Sequence, residues 1–233
     1  MTTETFEAWF LHKHWCGDTS AYVVFFSREK GIVRGLLKGG RTPKKQALLQ
    51  TFMPLCVTMA YRYGRGYVQS IEPIASVLGL SGIGLFSGLY LNELIFYGLR
   101  EHDPSPELYD VYVATLPCLA QTSLAKTDLE ATLRRFERAL LMACGYHLEL
   151  STDANGMPID AVRYYAFQPG HGFFQEKRGL LGEHILQFSQ ENFSDSAVLK
   201  AAKWIMRQAI DHALDGRRIK TRELFTRVHK VFS

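Results

Sequence analysis

The residues of this 233-residue chain best suited to chemistry are cations gathered near its N-terminus. Arg28, Lys30, Arg34, Lys38, Arg41, Lys44 and Lys45 fall within eighteen positions. The centre of the run is Lys38-Gly39-Gly40-Arg41-Thr42-Pro43-Lys44-Lys45. Adjacent glycines let a backbone approach a phosphate chain closely. Lysine and arginine there release counterions from a polyanion, so binding is salt-dependent. Tyr22, Tyr61, Tyr63 and Tyr67 offer π-faces for unpaired bases, with Arg62 and Arg65 beside them. The competing reading is a solvated turn whose neighbouring tyrosines pack in the core.

Other chemistries are poorly served. Lys38-Gly39-Gly40-Arg41 is not a phosphate-binding P-loop, because G-x-x-x-x-G-K-[ST] is missing. Gly79, Gly82 and Gly84 follow no clear strand of a βαβ unit and reach no acidic partner, so they mark a junction rather than a nucleotide site. His12, His14 and Cys16 alternate, so on a strand they share a face, but a fourth zinc ligand is not evident. Trp15-Cys16-Gly17-Asp18 reads as a turn, and surface histidines are the expectation. Glu72, Asp110, Asp128 and Asp160 are scattered singly, so no paired-carboxylate centre can be built. No hydrolase or kinase signature is present. No enzyme activity and no cofactor are expected. A nuclease would need clustered carboxylates or metal ligands.

A second cationic group is Arg134-Arg135-Phe136-Glu137-Arg138. On a helix Leu133, Phe136 and Leu140 face inward, and Arg134 and Arg138 share an exposed rim. Arginine beside an apolar groove suits an acidic peptide with an aromatic end. Pairing with Glu130 and Glu137 is the alternative.

These groups need two kinds of scaffold. Phe6–His12, Ala21–Phe26, Ile32–Lys38, Pro54–Tyr61 and Gly66–Ile71 read as short strands, and Ser27–Gly31 has turn chemistry. So many strands in about 75 residues, with no long helix between them, predict a small closed barrel. From Ser81 the period becomes helical and runs through Arg100. Pro104 and Pro106 break it, a second helix runs from Glu107 to about Ala120, and Pro117 should end or kink it. Thr127-x-x-Glu130 reads as a capping box opening a helix at Leu129–Cys144, with Gly145 as its stop. Residues 146–178 are turn-rich with short strands between. Helices return at about Gly182, at Ser194–Leu214 before Asp215-Gly216, and at Thr221–Val231.

Composition is that of a globular chain, 47% hydrophobic and 21% charged. No apolar run is long enough to span a bilayer, and Met1-Thr2-Thr3-Glu4 is no secretory signal, so a cytoplasmic location is expected. Cys16, Cys56, Cys118 and Cys144 form no C-x-x-C pair and are expected as thiols. The net charge of +4 is uneven: residues 1–80 carry +5, 81–180 carry −4 and 181–233 carry +3. Basic ends suggest a polyanion partner.

One ordered set of residues is more specific. It is Trp9-x-Leu11-His12, Val24-Phe25-Phe26-Ser27-Arg28-Glu29-Lys30-Gly31 and Leu37-Lys38-Gly39-Gly40-Arg41. It continues with Leu78-x-Leu80-Ser81-Gly82-x-x-Leu85-Phe86-Ser87-Gly88-Leu89-Tyr90-Leu91-Asn92-Glu93-Leu94, then Leu133-Arg134-Arg135-Phe136-Glu137-x-x-Leu140-Leu141, and ends with Arg222-Glu223-Leu224-Phe225. The set resembles the RecO family of bacterial recombination mediators over nearly the whole chain, most weakly at 146–178. The resemblance implies an α+β protein: an N-terminal OB-fold β-barrel, then a mainly α-helical domain. The expected division is 1–80 and 81–233, with an insert at about 146–178. It implies binding of single- and double-stranded DNA, strand annealing, partnership with RecR, and docking on the acidic, Phe-ended tail of the single-stranded-DNA-binding protein. Together these help load RecA onto coated strands, which places the protein with the nucleoid. Some members carry a four-cysteine zinc module. Residues 145–180 contain no cysteine, so a zinc-free insert is expected. The DNA-binding set is then Arg34, Lys38, Arg41, Lys44, Lys45, Arg62, Arg65 and Tyr61, and the tail-binding set Arg134, Arg135 and Arg138. The alternative is a tail adaptor whose barrel is only a scaffold.

Overall fold

The computed structural model describes residues 2–121 and 125–224. Five strands close into a barrel in the order β1-β2-β3-β5-β4: β1 Thr2–Cys16, β2 Ser20–Ser27, β3 Gly31–Leu37, β4 Pro54–Arg62 and β5 Arg65–Pro73. Neighbouring pairs are antiparallel except β3 with β5, which run parallel at Leu36 and Tyr67. Alternation selects the interior. Phe6, Ala8 and Phe10 of β1, Ala21, Val23 and Phe25 of β2, and Val57 and Met59 of β4 form the barrel core. The register slips between Phe10 and His12, leaving Leu11 unpaired. Beyond this bulge the inward parity passes to Lys13 and Trp15, which pair with the core residues Val23 and Ala21 without joining the core.

All five strands foreseen from β-branched and aromatic runs are present. Gly31 shows why the β2–β3 turn needs its residue type. Its φ is +65°, and a Cβ there would lie 2.2 Å from the Asp103 carbonyl oxygen. The stretch after Gly40 differs from the loop expectation. It contains α1, Pro43–Leu48, with extended Thr42 before it and Pro43 in its first turn. Proline's fixed φ suits that position, and the missing N–H is not needed there.

The outer face of β1 and β2 is covered by α2, Gly82–Gly98, and α3, Pro106–Leu119. Tyr112 is buried edge-on against Trp9 at 5.9 Å and Phe26 at 5.8 Å, and its hydroxyl donates to Asn92 Oδ1 at 2.7 Å. Burial pushes the Tyr112 hydroxyl's pKa upward, so this donor keeps its proton. Pro117 sits in the last turn of α3, where the helix ends two residues later. By compactness one unit therefore comprises Met1–Thr122 with Ile219–Ser233, and the other Ser123–Arg218.

The second unit holds α4, Lys126–Ala143, a three-stranded sheet, α5, Gly182–Ser189, and α6, Ser196–Ala213. The sheet has the order β7-β6-β8: β6 Tyr164–Gln168, β7 Gly172–Glu176 and β8 Leu180–Leu181. Strands β6 and β7 are the short strands foreseen in the turn-rich insert, and β8 lies just past it. Helix α6 packs on α4 and α5 and is capped by Asp195, whose carboxylate accepts from the Ala197 N–H at 2.8 Å. The expected capping box at Thr127 is not used. Helix α4 starts earlier, with Ala125 as its cap, so Thr127 lies inside the first turn. Its other end follows expectation. Gly145 has φ +80°, its N–H donates to the Met142 carbonyl, and Tyr146 N–H donates to Leu141 O at 2.8 Å. The last helix starts at Lys220, and its expected course past Leu224 lies outside the described residues.

Candidate nucleic-acid interface

Strand pairing defines an exposed patch on the barrel. Tyr22, Leu36 and Tyr67 pair in turn across β2, β3 and β5, so their side chains share the outer face. His14 pairs with Tyr22 on the other side, and the two rings stack at 5.4 Å and 7°. Two turns bracket this row. Strand β2 is antiparallel to β3, which puts the turn at 17–19 beyond the C-terminal end of β3. Strand β5 is parallel to β3, which puts the turn at Tyr63-Gly64 toward the opposite end. In five-stranded Greek-key barrels this face and these two turns form the usual oligonucleotide surface.

The basic segment folds onto the first of these turns. Arg41 N–H donates to the Thr19 carbonyl at 3.1 Å, and its guanidinium reaches Gly17 O at 3.3 Å. The guanidinium also lies 4.9 Å from the Trp15 ring centroid. Lys45 Nζ donates to Lys38 O at 2.6 Å, Gln46 Nε2 to Arg41 O at 2.7 Å and Thr42 Oγ1 to Gly39 O at 2.9 Å. The segment is thus an ordered cap rather than a solvated turn. Its own carbonyls are occupied, while Lys38, Arg41 and Lys44 stay exposed. Lys45 is half-buried and braces the cap.

The remaining expected residues separate into two groups. Arg62 and Arg65 face each other across the β4–β5 turn, both exposed, and Arg62 lies 5.3 Å over Tyr63. Tyr63 itself is 90% exposed. Arg34 and Tyr61 do not join them. Arg34 is half-buried, with its guanidinium 5.2 Å over Phe96 and 3.8 Å from the Glu101 carboxylate. Tyr61 packs against the barrel core and edge-on against His102 at 6.1 Å. Burial, then Glu4 and Glu101, pushes its hydroxyl's pKa upward. It offers bases no free platform of the kind foreseen. Trp15 was missed because its segment reads as a turn, whereas β1 continues to Cys16. The signal was the alternation His12, His14, Cys16, which leaves Lys13 and Trp15 on the other face.

His12 borders Phe96, with ring centroids 5.1 Å apart. Its pKa is lowered, chiefly by burial and then by His14 and Lys220. Among the described residues no three His, Cys, Asp or Glu gather as a metal site would require. No helix among them is long and apolar enough to cross a membrane.

On α4 the expected cationic rim is only partly formed. Arg134 is a correction: it is buried, 6% exposed, and its Nη2 donates to Glu137 Oε1 at 2.6 Å. Arg134, Glu137 and Leu141 fall on one inward stripe, so the buried face of α4 is wider than Leu133, Phe136 and Leu140 alone. Arg135 and Arg138 remain accessible and share Glu191, at 3.0 and 3.2 Å. Their guanidiniums lie over Phe193 and Phe188, at 5.4 and 5.6 Å. A groove there is lined by Thr127, Ala131, Arg135 and Phe193, but also by Asp128 and Glu191.

Comparison with known proteins accords with this architecture. The family profile described as Recombination protein O N terminal matches residues 1–77, and that described as Recombination protein O C terminal matches 81–223. The DNA repair protein RecO of Legionella pneumophila (strain Corby) is 49% identical over 227 residues, covering 97% of this chain and 99% of its own. That of Pseudomonas paraeruginosa (strain DSM 24068 / PA7) is 40% identical, covering 92% and 91%. That of Actinobacillus pleuropneumoniae serotype 5b (strain L20) is 35% identical with the same coverage. An OB-like barrel leading into a helical region, matched along both parts, makes this chain a member of the RecO family of DNA repair proteins, which are non-enzymatic recombination mediators.

Proposed function

We propose that the chain binds single- and double-stranded DNA through the barrel, anneals complementary strands and helps RecA load onto strands coated by single-stranded-DNA-binding protein. The observation that carries this reading is the ordered basic cap. Lys38, Arg41 and Lys44 are exposed on a segment fixed to the turn beside the open face of β2 and β3. Cations at the rim of such a face hold a phosphate backbone without reading sequence. Arg62 and Arg65 extend the charge to the opposite turn and Lys45 shapes the cap, while Arg34 and Tyr61 are engaged elsewhere. RecR and the acidic tail of the coating protein are the protein partners in this reading, and the cytoplasm, near the nucleoid, is its setting. The barrel at 1–80 acts as the nucleic-acid-binding domain and 81–233 as the helical domain that meets partners.

The test is annealing of labelled strands pre-coated with the cognate binding protein. Acceleration by the wild type, lost on charge reversal at Lys38 and Lys44, is expected. Equal rates with and without the protein would overturn the reading. The adaptor alternative draws on the groove at Arg135 and Phe193, beside Arg138. It requires that a Phe-ended acidic peptide binds while naked DNA does not.

A further inference from the structure

Trp15 stands opposite the core residue Ala21 but is not itself part of the barrel core. Its inward parity on β1 would bury it in a longer barrel, but it lies near the hairpin tip and is 39% exposed. Two cations lie against the indole: Lys13 Nζ at 5.3 Å and the Arg41 guanidinium at 4.9 Å from the centroid. Such contacts are weak at exposed sites. They orient the ring, which stays 39% exposed. Arg41 is fixed in turn by Gly17 O and Thr19 O, so the ring's position is tied to the basic cap.

The other exposed aromatics of the barrel are less suited to receive a base. His14 and Tyr22 present one face each to the other. Tyr63 is more exposed than Trp15, but only Arg62 braces it, at a turn residue with φ +50°. Among the described residues of the barrel, Trp15 combines a partly exposed indole with two flanking cations and an anchored backbone.

We propose that Trp15 is the stacking site for an unpaired nucleobase, and that it gives the barrel a preference for single-stranded over duplex DNA. The proposal rests on the DNA-binding reading above. Every base has a π-face, so stacking on the indole is independent of sequence. In a duplex those faces are already stacked on neighbouring bases, and only the backbone can be held. Lys38, Arg41 and Lys44 therefore serve both forms of DNA, and Trp15 serves one.

The experiment is fluorescence anisotropy with a labelled oligothymidylate and a duplex of equal length, across a salt series. Trp15→Ala is expected to weaken single-strand binding by about tenfold or more and duplex binding by less than about twofold. The salt slope should stay unchanged, because no phosphate contact is removed. Trp15→Phe, which keeps a ring, should retain most of the affinity. It also isolates the signal, because Trp9 and Trp204 remain: strand-induced change in tryptophan emission should be present in the wild type and lost in Trp15→Phe. Equal losses on both substrates, no loss on either, or a single-strand loss confined to Tyr63→Ala would overturn the proposal. Wild-type protein that binds neither substrate would overturn the DNA-binding reading itself. Wild-type binding to both with an unaffected Trp15→Ala would remove only the stacking assignment.

Discussion

The carboxylate of Glu93, on α2, accepts the backbone N–H of Thr221 at 2.8 Å and its hydroxyl at 2.7 Å, across 128 residues of sequence. Its other oxygen accepts the Lys220 N–H at 2.9 Å. A helix begins at Lys220, so these are the N–H groups that an α-helix cannot satisfy itself. A side chain from a distant helix thus does the work of a local cap, and its negative charge also suits the helix N-terminus. Glu93→Ala is expected to cost about 2 kcal/mol of stability. The check is urea denaturation, with a lowered midpoint and an unchanged slope. Glu93→Gln, which keeps acceptors but not charge, should lose less.

Lys38 and Lys44 test the cap as a phosphate-binding edge, because both are exposed and neither side chain braces the loop. Lys38→Glu with Lys44→Glu is expected to weaken binding to any DNA sequence, single or double, and to lower the salt slope by about one unit per lost phosphate contact. Lys45→Ala should differ. Its ammonium holds the Lys38 carbonyl, so its loss loosens the cap as well as removing charge. Titrations at several salt concentrations separate these effects. An unchanged slope in the double variant would mean that the cap does not touch phosphate.

The barrel was legible because its strands alternate over a shared core in β-branched and aromatic runs. The helix α1 was not legible, since Lys44-Lys45-Gln46 reads equally as loop; only the extended Thr42 and the placement of Pro43 reveal it. The cationic set was legible as composition but not as geometry. Arg34 and Tyr61 have the right residue types, yet a glutamate, a phenylalanine and a histidine brought from residues 96–102 engage them. Trp15 was hidden because Trp15-Cys16-Gly17-Asp18 reads as a turn, whereas β1 runs on to Cys16. Arg134 failed for a different reason. Its partner was in view three residues away, but burial depends on how α6 packs against α4.

Arg134 and Glu137 form a buried pair, with side chains 8% and 2% exposed. Arg134→Ala would take the Arg134 cation from the buried Glu137 carboxylate, which costs up to roughly 3–5 kcal/mol. A loss of peptide binding in that variant would therefore report unfolding rather than a pocket. Arg134→Met with Glu137→Leu removes both charges and should restore most of the stability. Arg135→Ala and Arg138→Ala, on exposed ion pairs, should each cost less than about 1 kcal/mol. Thermal melts of the four variants check the ranking. An Arg134→Ala melt matching wild type would show that the pair does not hold the unit together.

Glu191 decides whether the groove on α4 can take an acidic tail. It already holds both Arg135 and Arg138, and Asp128 lines the same groove. An incoming carboxylate must either displace Glu191 or share its arginines against like-charge repulsion. Glu191→Gln removes that competitor while keeping the side chain's size. It is expected to strengthen binding of an acidic, Phe-ended peptide by about three- to tenfold, since exposed ion pairs are worth up to about 1 kcal/mol each and two are released. Phe193→Ala and Arg138→Ala should weaken binding, because the ring is the apolar wall and Arg138 one of the two cations. Isothermal titration of the peptide into each variant reads the effect. If Glu191→Gln binds no better than wild type and Arg138→Ala no worse, the tail docks on another surface of the protein.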